Sequence, residues 1–246
     1  MSHISSFNIS TEPTIRGNLY KLFSLGFRYP TPEVFKTFQD GKYLTKVWDN
    51  INLLPHLKTI QDKRSELTGI IQNSLAGISF EAFAAECIRI FDLGTPEPHC
   101  PPYEGFYRSE SRAALMLTIS AFYRRFSLTM SKKEGKRELP DYLCAELEFL
   151  HFLTFKEAQA GIDGNPEFLR GYLLAQKDFL ERHMIQWIPK FCDALQNSAN
   201  VPFYVLIART VFMFITCELE LVSSCIGISN FSATALHTPN PLSRGD

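Results

Sequence analysis

The sequence predicts an all-α protein, a single compact domain of about ten helices. Two observations predict this fold class. Apolar residues recur every three or four positions along most of the chain, which is the spacing of one face of a helix. No segment shows the strict apolar-polar alternation of a β-strand over a useful length. With 45% apolar residues, a chain of 246 residues can bury a sizeable core.

Local signals place the helices in the first half of the chain. Pro30 ends the first helix because proline cannot comfortably extend one. Thr31 and Ser79 are predicted N-caps, and Pro55 interrupts the pattern around it. Residues 93–103 contain four prolines, which exclude regular helix and predict a proline-rich loop. The predicted helices cover about residues 15–29, 31–41, 79–91 and 109–130, with two more helices between residues 43 and 75.

The second half is predicted in the same way, with Asp141 and Asn165 as N-caps. The apolar run 203–217 contains Arg209 and is shorter than the ~20 apolar residues of a membrane span, so it predicts a buried helix. We expect an all-helical domain of residues 15–228, a flexible N-terminal segment of residues 1–14 and a loose tail of residues 229–246. The helices cover about residues 141–160, 166–183, 187–195 and 202–225.

Composition argues against several classes of partner and cofactor. The formal net charge of −1 provides no basic surface for nucleic acid. The short basic cluster of residues 132–137 is interpreted as a solvated loop. The six cysteines are scattered and include no metal-ligand spacing, so no metal, no cofactor and a reducing compartment are expected. The first residues do not resemble a secretory signal, which favours a cytoplasmic protein without stable membrane insertion.

The common motifs of catalysis and phosphate binding do not occur in the sequence. Their absence favours a protein that is not an enzyme. A nucleotide-binding hydrolase therefore stays a minor alternative.

Two groups of residues are candidates for a binding site. Aromatic residues flank the proline-rich loop, with Glu104 among them, and they either bind a peptide or hold the loop against its own domain. Several acids, including Asp141 and Glu146, surround the start of one helix, where they stabilise the helix dipole or form an acidic rim for an arginine-bearing peptide. His183 and Trp187 lie one helical turn apart, either at this site or as a core pair.

Five separated groups of residues, in this order, resemble the TorD/DmsD/NarJ-type family of redox-enzyme maturation chaperones. The resemblance runs from about Leu19 to Glu218. The residues that carry it are Leu19, Tyr20, Leu22, Phe23, Tyr29, Pro30, Pro32 and Glu33; Phe91, Gly94, Pro101, Pro102, Tyr103, Glu104 and Tyr107; Glu138, Pro140, Asp141, Glu146 and Leu147; Phe179, Leu180, His183, Trp187, Pro189 and Phe191; and Pro202, Phe203 and Tyr204.

The resemblance implies a TorD-like fold and a chaperone function. The implied partner is the apo catalytic subunit of a molybdopterin oxidoreductase, bound through its N-terminal segment or twin-arginine signal peptide to assist cofactor insertion, folding and export proofreading. A stable scaffold subunit of a redox complex is the alternative, and the monomer and the homodimer both stay open. Tyr142 stands where the family commonly has histidine. The implied peptide-binding residues are Phe91, Leu93, Pro101, Pro102, Tyr103, Glu104, Tyr107, Asp141, Tyr142, Glu146, His183 and Trp187.

Overall fold

A computed structural model of the chain describes residues 11–94, 97–130 and 138–235, with side chains to residue 227. These residues form helices and turns without a β-strand, which confirms the predicted all-α fold of about ten helices. The α-helices are α1 (Glu12–Phe27), α2 (Pro32–Gln39), α3 (Lys42–Asn52), α4 (Lys58–Gln61), α5 (Arg64–Leu75), α6 (Phe80–Phe91), α7 (Arg112–Arg124), α8 (Leu143–Ile162), α9 (Pro166–Phe179), α10 (Ile185–Ser198) and α11 (Pro202–Ala235).

Three helix starts follow the predicted capping chemistry. The side chains of Thr31, Ser79 and Asn165 each accept a hydrogen bond from the backbone N–H three residues later, at 3.3, 3.2 and 3.1 Å. Each bond satisfies a donor that the first helical turn leaves without an intrahelical partner. The three predicted caps are confirmed.

Three predictions about the helices are wrong. Residues 43–75 form three helices rather than two, because Pro55 opens a 3-10 turn, Pro55–Leu57, followed by the short α4. Helix α7 ends at Arg124 rather than near residue 130, and Ser127 has a φ of 59°, in the left-handed region that an α-helix cannot contain. Asp141 does not cap α8, since Tyr142 occupies the N-cap position.

The remaining differences concern the ends of helices. A π-helical turn, Leu180–Met184, joins α9 to α10 without the predicted break. Helix α1 begins inside the segment expected to be flexible, and α11 continues to Ala235, inside the expected tail. Residues 1–10, 95–96, 131–137 and 236–246 lie outside the described residues, and these include the basic cluster and part of the proline-rich loop.

The core is organised around α8 and α11. Helix α1 packs along α8, where the imidazole Nδ1 of His151 lies 2.8 Å from the carbonyl oxygen of Gly17. Aromatic residues of α11, such as Phe203 and Phe214, are buried, which confirms the buried helix predicted for the run 203–217. Among the described residues, no helix is long and apolar enough to cross a membrane.

A buried ionic network joins the first helix to the last. Arg16, only 2% exposed, donates hydrogen bonds to Glu157 on α8 at 3.0 Å, to Glu218 on α11 at 2.8 Å and to Gln176 on α9 at 2.7 Å. His56 Nε2 lies 3.0 Å from the second oxygen of Glu218. Burial alone would raise the pKa of Glu218, but Arg16 and His56 outweigh burial, so the pKa is lowered. The network therefore holds four helices and a loop together through one guanidinium.

Candidate functional site

The proline-rich loop is fixed to the start of α8 by backbone hydrogen bonds. The N–H of Glu104 donates to the carbonyl oxygen of Asp141 at 2.9 Å, and the N–H of Leu143 donates to that of Pro102 at 2.9 Å. These bonds surround an isolated β-bridge between Tyr103 and Tyr142. The loop is thus held against its own domain, which was one of the two interpretations of its flanking aromatic residues.

Two of the aromatic candidates take part in packing. Phe91 is 4% exposed and contacts the rings of Phe27, Phe191 and Tyr204. Tyr107 is half-buried and stacks on Trp187, with ring centroids 5.6 Å apart. Phe91 is therefore a core residue here, and a bound peptide cannot reach it without a rearrangement of the helices.

Glu104 lies in the interior and is already paired. Its carboxylate accepts a hydrogen bond from Arg108 at 3.0 Å, and its second oxygen lies 2.9 Å from Nδ1 of His183. Glu104 is 0% exposed and His183 is 3% exposed. An incoming arginine would have to displace Arg108 or His183 to reach this carboxylate.

Asp141 is buried in the same way, next to the loop. Its side chain accepts hydrogen bonds from Arg112 Nε at 2.9 Å and from the backbone N–H of Gly105 at 3.3 Å. The guanidinium of Arg112 also lies 4.5 Å from the ring centroid of Phe106, within the range of a cation–π interaction. Asp141 therefore positions the loop instead of capping α8.

Glu146 completes the buried acidic cluster. It accepts a hydrogen bond from the indole N–H of Trp187 at 3.0 Å. Burial, and next the neighbouring carboxylate of Glu104, raise the pKa of Glu146 well above its ordinary value. Sequence analysis does not predict that these two carboxylates are neighbours, because they belong to elements separated by α7.

These positions correct the expected role of the acids. In this structure Glu104, Asp141 and Glu146 do not offer a carboxylate to solvent, because each is fully buried and bonded within the chain. Leu93, in contrast, is 60% exposed. The predicted site residues divide into a buried set, Phe91, Pro101, Pro102, Glu104, Asp141, Glu146, His183 and Trp187, and an accessible set made of the exposed Leu93 and the half-buried Tyr103, Tyr107 and Tyr142.

The titratable groups of the candidate site connect the elements around them. The titratable groups described above are paired in the interior, so they serve to fix the loop, α8 and α10 relative to one another. Within residues 11–94, 97–130 and 138–235, no group of three or more His, Cys, Asp or Glu side chains is arranged to hold a metal ion.

Comparison with known proteins decides the family. The sequence profile described as "Nitrate reductase delta subunit" matches residues 59–193, more than half of the chain, including the proline-rich loop and the acidic cluster. The chain belongs to this family. Together with the relatives described next, which are named as reductase assembly chaperones and as TorD, this match confirms the resemblance to redox-enzyme maturation chaperones.

Similar proteins extend the match over most of the chain. The "Perchlorate reductase assembly chaperone protein" of Dechloromonas aromatica is 33% identical over 208 residues, 83% of this chain and 88% of that protein. The "Selenate reductase assembly chaperone protein" of Thauera selenatis is 34% identical over 120 residues, 48% of this chain and 60% of that protein. The "Chaperone protein TorD" of Vibrio parahaemolyticus is 21% identical over 225 residues, 89% and 97% of the two chains.

Proposed function

We propose that this protein is a cytoplasmic chaperone, without catalytic activity of its own, that serves one molybdenum-cofactor reductase. It binds the N-terminal segment or twin-arginine signal of the apo catalytic subunit and holds the subunit back until the cofactor is inserted. The observation that carries this proposal is the similarity, over most of both chains, to a protein named as a reductase assembly chaperone. A second relative with a name of the same kind, for another reductase, adds support.

The accessible site residues are proposed as the direct contacts of the client segment. Tyr103 and Tyr142 lie together, with ring centroids 5.3 Å apart, and Leu93 is exposed on the same loop. Rings and an exposed leucine supply apolar contact area for an extended or helical peptide. The buried acids do not contact the client segment in this proposal. Their bonds to Arg108, Arg112 and Trp187 hold the loop and α8 in place, and so they position the contact residues.

The first experiment is calorimetric titration of the purified protein with peptides from the N-terminus of the reductase catalytic subunit encoded next to its gene. We expect binding at about micromolar Kd and no binding of a scrambled peptide. Deletion of the chaperone should leave that reductase without its cofactor. If neither effect is found, the proposal is wrong.

Variants test the contact surface. Leu93→Ser should weaken peptide binding, whereas Leu53→Ser, directly after α3, should not, and the two side chains are matched in exposure at 60% and 58%. Equal effects would exclude Leu93 as a contact. A stable scaffold subunit would instead copurify with the mature, cofactor-loaded reductase at equal stoichiometry, whereas a chaperone is released from it.

A further inference from the structure

Two buried carboxyl groups meet where the proline-rich loop joins α8. Glu104 directly follows the loop, Glu146 lies in the first turn of α8, and both side chains are fully buried. Burial, and next the charge of Glu104 and a hydrogen bond to it, raise the pKa of Glu146. Two carboxylates side by side in an interior repel each other, because burial removes the screening that water provides. We therefore expect one of the two groups to carry a proton.

The two carboxyl groups differ in the donors around them. Glu104 accepts a hydrogen bond from Arg108 at 3.0 Å on one oxygen, and Nδ1 of His183 lies 2.9 Å from the other. Glu146 has one neutral donor, the indole N–H of Trp187, on its oxygen Oε2. Its other oxygen, Oε1, is buried and has no donor among the described residues. The charge of Glu104 is thus stabilised, so Glu146 is the acid that keeps the proton.

The cations near Glu146 are bound to other acids. Arg112 binds Asp141 at 2.9 Å, and Arg108 binds Glu104. Nε2 of His183 is buried without a partner, so a second N–H on this ring would find no acceptor. The titratable and charged groups next to the two acids, in the part of the chain that the structure describes, are Arg108 after the loop, Arg112 and Tyr123 on α7, Asp141 before α8 and His183 on the π-helical turn. Three buried carboxyl groups face two guanidinium groups, so one further proton balances the charge.

We infer that Glu146 keeps its proton at neutral pH and that its Oε1–H group donates a hydrogen bond to the carboxylate of Glu104. A neutral carboxyl group donates through one oxygen and accepts through the other, so Oε2 still accepts from Trp187. The proton gives Oε1 the partner that it otherwise lacks, and a bond to a charged acceptor is of the stronger kind. This bond connects the proline-rich loop to α8, next to the bridge between Tyr103 and Tyr142.

The hydrogen bond makes the connection between the loop and α8 sensitive to pH. Because the folded-state pKa of Glu146 is raised, its contribution to stability is present in full below the unfolded pKa, about 4.3, and is lost as pH rises through the folded pKa. Above that pH two carboxylates face each other and push the loop away from α8. The inference goes beyond the proposed function and does not depend on it, since a proton in the interior can be detected without a client.

The first test compares the wild type with Glu146→Gln in urea unfolding from about pH 5 to about pH 9. The amide is a neutral substitute that can donate to Glu104 and accept from Trp187, so the variant should fold. The unfolding constant of the wild type, relative to that of the variant, should rise by up to about tenfold per pH unit until the folded pKa is reached. The reason is that the wild-type chain releases a proton when it unfolds and the variant does not.

Glu66→Gln, at an exposed position on α5, is the matched control. Its unfolding constant relative to that of the wild type should stay the same above about pH 6, where an exposed glutamate is ionised in both states. The same constant ratio for Glu146→Gln would mean that Glu146 is already ionised in the folded protein, and the inference would be overturned.

Infrared spectroscopy detects the proton even if Glu146→Gln does not fold. A protonated carboxyl group absorbs at a higher frequency than a carboxylate, and the wild-type spectrum at about pH 7 should contain such a band. In Trp187→Phe the carbonyl oxygen of Glu146 loses its donor, so the band should move to a still higher frequency. A band from Glu157, whose pKa burial also raises, should stay in place because Glu157 binds Arg16 instead. A missing band, or one that does not move in Trp187→Phe, overturns the inference.

Amide hydrogen exchange measures the effect of the proton on the loop. The N–H groups of Glu104 and Leu143 form the backbone bonds between the loop and α8. As pH rises, both should exchange faster in the wild type than in Glu146→Gln, whereas the N–H of Phe35 on α2 should exchange at the same rate in the two proteins. Equal rates for Glu104 and Leu143 would mean that the proton does not hold the loop, which overturns the inference and leaves the proposed function to its peptide titration.

Discussion

Removal of the guanidinium of Arg16 should be among the most destabilising single changes in this protein. Arg16→Met keeps an unbranched side chain of similar length but leaves Glu157 and Glu218 buried without their shared cation. Breaking a buried ion pair by removing one partner typically costs about 3–5 kcal/mol, because the remaining charge stays desolvated. Since domains are stable by only about 5–15 kcal/mol, the loss is a large share of the total.

The assay is equilibrium unfolding in urea, with thermal unfolding as a second measurement. A chain of this size shifts its Tm by about 2–4 °C per kcal/mol, so the variant should melt roughly 6–20 °C lower. The control is Arg28→Met, the same substitution at a pair that is about two-fifths exposed, which should cost about 1 kcal/mol or less. If the two variants lose the same stability, the buried network around Arg16 does not stabilise the core more than an exposed ion pair does, and the reasoning is wrong.

The stability lost in Arg16→Met should also depend on pH, in a direction set by the pKa of Glu218. In the wild-type protein the folded-state pKa of Glu218 is lowered, so its contribution is present above the unfolded pKa and is lost as pH falls through the folded pKa. Without Arg16, the largest effect that lowers the folded pKa of Glu218 is lost, so this pKa should rise and the carboxyl should take up a proton more readily. The difference in unfolding free energy between Arg16→Met and the wild type should therefore be largest at about pH 7 and become smaller towards about pH 5.

Three further changes have defined outcomes. Trp187→Phe removes the donor to the buried carboxylate of Glu146 and should cost about 1–3 kcal/mol in urea unfolding. Gly17→Ala places a methyl group 2.7 Å from the hydroxyl of Thr154, which separates α1 from α8 and should cost about 1–3 kcal/mol, and adding Thr154→Ala should restore part of it. Ser79→Ala removes the cap of α6 and should cost about 1 kcal/mol, whereas an unchanged Tm would contradict its role.

The features that local sequence determines were the ones that could be predicted. Thr31, Ser79 and Asn165 cap helices through bonds to the residue three positions later, so the signal lies within one turn of sequence. Asp141 carries the same local signal but does not cap. Its carboxylate binds Arg112, 29 residues earlier, and the stronger, charge-assisted pairing determines where it points.

The candidate site could be predicted only in part for the same reason. The sequence shows that aromatic residues flank the proline-rich loop, but whether Phe91 or Tyr142 faces solvent depends on helices far away in sequence. The pairing of Glu104 with His183 spans 79 residues, and neither residue type indicates it by local spacing. No local sequence pattern indicates the role of Arg16, because its acidic partners are 141 and 202 residues away.

The large sequence separation between Arg16 and its partners has a consequence for synthesis of the chain on the ribosome. Its partner Glu218 is made 202 residues after Arg16, so a nascent chain that lacks α11 cannot neutralise the charges in its own centre. Contacts between the two ends of a chain also form late, because a long loop must close before they are gained. Fragments truncated before Glu218 should therefore stay open and be degraded, so that only copies that include α11 reach the folded state.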